Sequence, residues 1–201
     1  MKKEFLDLQK KRRTIYALGD KVDQTPEELV PFLEDVIKEA PSAFNSQTTR
    51  AIFAFGEAQD KIWDITAANL KKVMNNDEAF EANTKPKIDS FKNAYATILW
   101  FTDMDVVHSL EEQFPTYKDN FYDWSEQAQG NAQYAVWTAL AENGIGANLQ
   151  HYNPLIDAEI DKEFDVPKSW RLRAQLNFGS IEAPAGDKEF MEDSERFRVF
   201  K

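Results

Sequence analysis

Two short groups of cations stand at opposite ends of an otherwise acidic chain. One is Lys10-Lys11-Arg12-Arg13-Thr14; the other is Arg196-Phe197-Arg198. The formal net charge is -11, so most of the surface repels anions. Arginine presents a planar fork that makes paired, charge-assisted bonds to phosphate. Arginines gathered at both termini of such a chain therefore predict one anion pocket assembled from distant segments. Each group taken alone also fits solvated terminal charge.

A second candidate segment is Pro41-Ser42-Ala43-Phe44-Asn45-Ser46-Gln47. Hydroxyls and amides are neutral donors and acceptors, suited to the edge of a heterocycle rich in carbonyls and ring nitrogens. The same residue types also serve as helix caps and turns. A third segment runs Gly144-Ile145-Gly146-Ala147-Asn148-Leu149-Gln150-His151. Its two glycines allow backbone to approach a ligand closely. It is not a dinucleotide fingerprint, because no strand–GxGxxG–helix order surrounds it. The rings Phe114, Tyr117, Phe121, Tyr122 and Trp124 fit either an aromatic pocket or plain core. No GxSxG motif is present, and His108 and His151 are the only histidines.

Composition narrows the field. The 201 residues include no Cys, which excludes disulfides and thiolate chemistry and suits a reducing cytoplasm. The pI near 4.7 argues against nucleic acid as a partner. The N-terminus lacks the apolar run of a signal peptide, and no stretch approaches membrane-spanning length. The 42% hydrophobic fraction predicts one globular domain over residues 1–201.

The elements that must position these segments are legible from periodicity. Phe5, Leu6 and Leu8 suggest a short helix ahead of the cations. Thr25-Pro26-Glu27-Glu28 has the form of a capping box opening a helix that stops before Pro41. Residues 50–55 predict a strand ended by Gly56, with a helix from about Glu57 and a weaker one within 78–92. The apolar run 94–101 predicts a central strand buried on both faces. A short helix is expected over 104–113. The longest helix is expected over 122–143, with an alanine stripe open to another helix and Gly144 as its left-handed cap. That helix carries more apolar surface than one small domain needs to bury, which predicts a dimer through it. Residues 146–151 predict a strand, 156–164 a brief helix, and the alternation over 170–178 a half-buried strand. A polar loop over 183–194 leads to a last strand over 197–200. The fold class is α+β, a mixed sheet flanked by helices.

Arg12-Arg13-Thr14, then Pro41 to Gln47, then Gly144-Ile145-Gly146 leading into a strand, then terminal arginines, occur in an order that resembles the nitroreductase family of flavoproteins. RRTIYAL, PSAFNSQ and LQHYNP are most similar to the branch that includes yeast fatty-acid-repression-type and bacterial stress-induced nitroreductases. The resemblance spans almost the whole chain. It implies an intertwined homodimer with one FMN at each of two interface sites. It implies that Arg12, Arg13 and Thr14 hold the phosphate and ribityl end, with Tyr16 close by, and that Arg196 and Arg198 close on the same phosphate. Ser42, Phe44, Asn45, Ser46 and Gln47 would meet the flavin ring or ribityl chain, partly from the other subunit. Leu149, Gln150 and His151 would lie along the ring. Gln150-His151 stands where many members have Glu-Gly, and Lys71 and Lys72 are the candidates for a supporting lysine. The implied activity is reduction of a nitroaromatic or quinone at the expense of NADH or NADPH. Donor and acceptor would use one slot in turn, a ping-pong order in which no protein acid or base is essential. A flavin-storing or redox-sensing protein would use the same pocket with little turnover.

Overall fold

The computed structural model describes all 201 residues. Helix α1 (Glu4–Lys11) precedes the two-residue strand β1 (Leu18–Gly19), and α2 (Pro26–Lys38) follows. Thr25 and Glu28 form the expected capping box, with Thr25 N donating to Glu28 Oε2 at 2.8 Å. This satisfies backbone donors that a helix start leaves bare. Leu29 and Leu33 are buried beneath α2, each contributing about 1.5–3 kcal/mol of apolar burial.

Strand β2 (Thr49–Phe55) leads through Gly56, at φ 56°, into α3 (Glu57–Met74). A helical stretch follows, made of α4 (Asp77–Ala79), a π turn over Phe80–Thr84 and α5 (Lys85–Lys92). Strand β3 (Ala96–Asp103) is buried at every position, as its apolar run predicts. Helix α6 (Met104–Gln113) starts on Asp103, whose Oδ1 accepts from Asp105 N at 3.2 Å.

The long helix α7 spans Lys118–Glu142, starting earlier than the apolar stripe suggests because a 3-10 turn over Pro115–Tyr117 runs straight into it. Gly144 follows at φ 76°. Strand β4 (Gly146–Gln150), α8 (Asp157–Glu163), β5 (Trp170–Ile181) and α9 (Asp193–Arg196) complete the chain.

Strands β2, β3 and β5 pair antiparallel, while β4 and β1 follow one another along the outer edge of β5. Thr14 adds a parallel bridge to Ala147 on β4, so the sheet is mixed. One face packs against α2 and α7 through Trp100, Val136, Leu140 and Phe178. The other packs against α3, α5 and α8 through Trp63, Phe91, Leu99 and Ile160. The cross-strand partners jump from Trp100↔Ala174 to Phe101↔Leu172, leaving Arg173 as the extra residue of a bulge. Arg173 turns to Glu126 on α7, its Nε donating to Oε2 at 3.0 Å.

Three expectations need correction. The strand over 170–178 is longer and is buried from Ala174 to Gly179: Asn177 bonds inside the sheet, and Gln175 Oε1 accepts from Tyr152 N just past β4 while its Nε2 stays buried without a partner. Residues 197–200 form no strand; they pair with nothing and are exposed. The alanine stripe of α7 does meet a second helix, but that helix is α2 of the same chain, which packs on it beside the sheet. Ala128 and Ala132 are buried within the chain, and the side of α7 left open carries Gln127, Gly130, Asn131 and Tyr134.

Candidate functional site

The chain leaves α1 at Arg12 with extended backbone and runs alongside β4. Ile15 N donates to Ala147 O at 2.9 Å. This short addition to the sheet edge fixes Arg12, Arg13 and Thr14. The Arg12 guanidinium lies 4.6 Å from the Trp137 ring and 5.9 Å from that of Tyr134, both on α7. Its Nε is buried without a partner. Arg13 Nη2 donates to Gly186 O at 2.6 Å. Arg12, Arg13, Thr14 and Tyr16 share the wall of a cavity of about 500 Å³ with residues 183–188. Neither arginine has a carboxylate within 4.0 Å, although acidic side chains outnumber basic ones 35 to 24. Two guanidiniums without an ion-pair partner can take an anion from outside, with Asp187 and Lys188 on the same cavity wall.

A second cluster sits where α2 turns into β2. Asn131 Nδ2 on α7 donates to Pro41 O at 3.0 Å, and Gln47 N donates to Ser42 Oγ at 3.0 Å. Between them Phe44, Asn45 and Gln47 all adopt positive φ, at 58°, 51° and 50°. For Phe and Gln the left-handed region costs roughly 1–2 kcal/mol each. The loop is held by rings: Phe44 lies 5.0 Å from Phe114, 5.5 Å from Phe121 and 6.0 Å from Trp124, between ring centroids. Phe114, Tyr117, Phe121 and Trp124 of the sequence cluster are therefore the seat of Phe44, whereas Tyr122 turns to Arg171. Ser42 and Gln47 edge a cavity of about 150 Å³, while Phe44, Asn45 and Ser46 face α6 across one of about 410 Å³.

Arg50, which sequence reasoning passed over, anchors this loop. It donates to Gln47 O at 2.5 Å and pairs with Asp103 at 2.9 Å. A cation at the start of a strand, three residues past a polar loop, was the available signal.

The third group ends β4. Leu149 packs on the core, Gln150 is half-buried and His151 is exposed. Gln150 Nε2 donates to Asn148 Oδ1 at 2.9 Å. Gly146 serves the fold: a Cβ there would meet Ile181 Cγ1 at 2.8 Å and Leu18 Cδ2 at 2.9 Å. Lys71 and Lys72 lie at the far end of α3, where Lys71 pairs with Glu81 at 3.2 Å.

One chain does not join these groups into a single pocket. The terminal segment is exposed from Gly186 onward, and no bond or described cavity joins Arg196 or Arg198 to Arg12 or Arg13. The Arg196 guanidinium lies over the ring of its neighbour Phe197, at 5.4 Å. The arginine and loop clusters contact α7 at Trp137 and Trp124, roughly 20 Å apart along the helix axis. No described cavity contains residues of both.

The chain is 53% identical to the nitroreductase CinD of Lactococcus lactis, solved in complex with nicotinic acid. The match covers 98% of this chain and 100% of that one at a TM-score of 0.92. A further CinD structure, 52% identical and with a TM-score of 0.90, is a complex with 4-nitrophenol. Two Saccharomyces cerevisiae proteins are also similar. HBN1 is 34% identical over 90% of both chains, and the nitroreductase FRM2 is 32% identical over 93% of both. The model of the nitroreductase family matches residues 10–180, a span that starts at the arginine cluster and takes in the strained loop and β4. The chain that carries these three groups belongs to the nitroreductase family.

Proposed function

We propose that this protein is an FMN-dependent NAD(P)H oxidoreductase. It reduces nitroaromatics or quinones in ping-pong order and works as a homodimer whose copies complete each other's sites. The single observation that carries the cofactor is the pair Arg12–Arg13, ion-paired to no carboxylate although Asp187 shares their cavity, and bearing one buried, unsatisfied Nε. A phosphate supplies what that nitrogen lacks, so the residues present fit FMN. Arg12, Arg13 and Thr14 would hold the phosphate and ribityl end, with Tyr16 close by. Ser42, Phe44, Asn45, Ser46 and Gln47 would face the ring or ribityl chain of the opposite site. Leu149, Gln150 and His151 would border the ring. When bound, FMN supplies two-electron redox chemistry that no side chain of this protein supplies. The chain's own part is to bind, to orient and to exclude water. The rings around Phe44 form an apolar wall beside the neutral donors of the loop.

The dimer reading rests on surface left without a partner. Helix α1 buries none of its residues, and Phe5 and Leu6 are exposed. Phe190, Met191, Phe197, Val199 and Phe200 are exposed along the terminal segment. Residues 187–201, extended at about 3.3 Å per residue, reach some 50 Å, enough to lie across a second copy and bring Arg196 and Arg198 to its arginine pair. The CinD complexes with 4-nitrophenol and nicotinic acid support a slot for flat aromatic molecules. Initial rates with NADH or NADPH against a nitroaromatic test the reaction. Parallel double-reciprocal lines are expected. Intersecting lines contradict the shared slot, and no NAD(P)H oxidation in the flavin-loaded protein leaves storage or sensing.

A further inference from the structure

A chain of hydrogen bonds crosses the buried sheet and ends at the candidate site. Thr97 on β3, Asn177 on β5 and Asn148 on β4 are cross-strand partners at one level of the sheet. All three are fully buried, and so is Trp63 of α3 beside them. Trp63 Nε1 donates to Thr97 Oγ1 at 3.1 Å. Thr97 Oγ1 donates to Asn177 Oδ1 at 2.6 Å, and Asn177 Nδ2 donates to Asn148 Oδ1 at 3.2 Å. Asn148 Nδ2 donates to Ile15 O at 2.9 Å, while Gln150 Nε2 donates to the same Asn148 Oδ1 at 2.9 Å.

The direction of every bond is fixed by its ends. An indole N–H only donates and a backbone carbonyl only accepts. Thr97 therefore spends its own proton on Asn177, and neither asparagine amide can flip without facing like atoms together. Gln150 inherits this order. Its nitrogen is held by Asn148, so its oxygen is left over. That oxygen has no partner in the chain and is not among the buried unpaired atoms. The same relay holds Ile15, the residue that follows Arg12-Arg13-Thr14.

The geometry points to Trp63–Thr97–Asn177–Asn148 as a positioning relay. It sets Gln150 to present a carbonyl oxygen, which accepts an N–H or O–H of the bound cofactor, and it pins the arginine segment to β4. Thr97, on the far strand, is a positioning residue that acts through two asparagines. Four buried polar groups are expensive unless paired, and here pairing runs unbroken to the site. The inference rests on the flavin reading in one respect only, the identity of the molecule that Gln150 meets.

The test uses the purified protein with Thr97→Val, Thr97→Ser, Gln150→Leu and the Thr97→Val/Gln150→Leu pair. FMN dissociation, Tm and the side-chain amide resonances are read. Thr97→Val is expected to weaken FMN about tenfold alone and less than about twofold in the Gln150→Leu background, while lowering Tm equally in both. Thr97→Ser restores wild-type affinity. The Gln150 amide protons exchange slowly in wild type and quickly in Thr97→Val. Equal FMN effects in both backgrounds, or a Tm loss with unchanged affinity, overturn the relay as a positioning device. Should Thr97→Val not fold, rapid exchange of the Gln150 amide or Trp63 indole protons in wild type overturns it, and slow exchange of both supports it. A wild-type protein that takes up no FMN fails the flavin reading, and the amide exchange alone then decides the relay.

Discussion

Removing the Arg12 side chain separates binding from folding, because its guanidinium does different things in each. In the chain it stacks on Trp137 and Tyr134, a contact of about 0.5–1 kcal/mol at partly exposed sites. Against that stands its buried Nε, unpaired in the protein alone, which costs about 1–3 kcal/mol. The penalty equals or exceeds the contact, so Arg12→Ala leaves the Tm of the flavin-free protein unchanged or raises it. A charge-assisted bond to phosphate contributes about 1.5–3 kcal/mol, so the same substitution should weaken FMN roughly 10- to 150-fold. Arg12→Lys restores the charge but not the fork and should fall between. The assay is fluorescence titration of FMN at fixed ionic strength, repeated with riboflavin, which lacks the phosphate. Arg12→Ala should leave riboflavin binding within about twofold. If FMN and riboflavin weaken together, or neither weakens, Arg12 is not a phosphate ligand.

Other perturbations follow the same structure. Gln47 sits at φ 50° and is exposed, so Gln47→Gly should raise Tm by relieving about 1 kcal/mol of strain while FMN binding falls through lost loop order. Thermal scans with and without FMN check this, and a lower Tm would contradict the strain. Burial lifts the Asp157 carboxyl above its usual range; neighbouring Asp161 adds to the rise, and Arg171 and Arg173 oppose it. A raised folded-state value gives stability present below the unfolded value, about 3.9, and lost as pH rises through the folded one. Asp157→Asn should therefore out-melt wild type near neutral pH, with the gap closing towards about pH 3; a gap that widens in acid reverses the sign. Deleting residues 188–201, all exposed, should preserve the fold by circular dichroism yet lower FMN retention and dimer content in sedimentation. Unchanged sedimentation would remove the terminal segment from the interface.

Much of the fold was open to sequence reasoning where local chemistry and tertiary packing agree. Thr25, Pro26 and Glu28 specify the start of α2, the apolar run specifies β3, and Gly144 caps α7 as its position demands. The failures share one cause, that a residue's partner decides its meaning. Gln175 and Asn177 look like solvent-facing positions but are buried, Asn177 bonding across the sheet and Gln175 accepting from Tyr152 N just past β4. Phe197 to Phe200 look like a strand but find no strand to pair with in their own chain. The alanines of α7 suggest a neighbouring helix, and the one they admit is α2 of the same chain, together with the sheet. Of the candidate site, the three groups were nameable from residue type. Their separation along α7 was not, because it depends on which part of that helix each group touches. Arg50 was missed because its role is to hold Gln47 and Asp103, neither of which marks it in sequence.

The central claim is that two half-sites, one built on Arg12 and Arg13 and one on the Ser42–Gln47 loop, close around FMN between two copies of the chain. Mixing two inactive variants tests it most directly. Arg12→Ala/Arg13→Ala disables one half-site and Ser42→Ala/Gln47→Ala the other, so each variant alone should bind FMN poorly. After unfolding and refolding as a mixture, a dimer holding one copy of each regains one intact site. The account predicts that FMN bound, read from the flavin absorbance after gel filtration, returns to about one site per mixed dimer, or about one per two dimers of all kinds, since half of the random dimers are mixed. No recovery in the mixture, with wild type refolded alongside regaining its flavin, would place both half-sites in one chain and contradict the account.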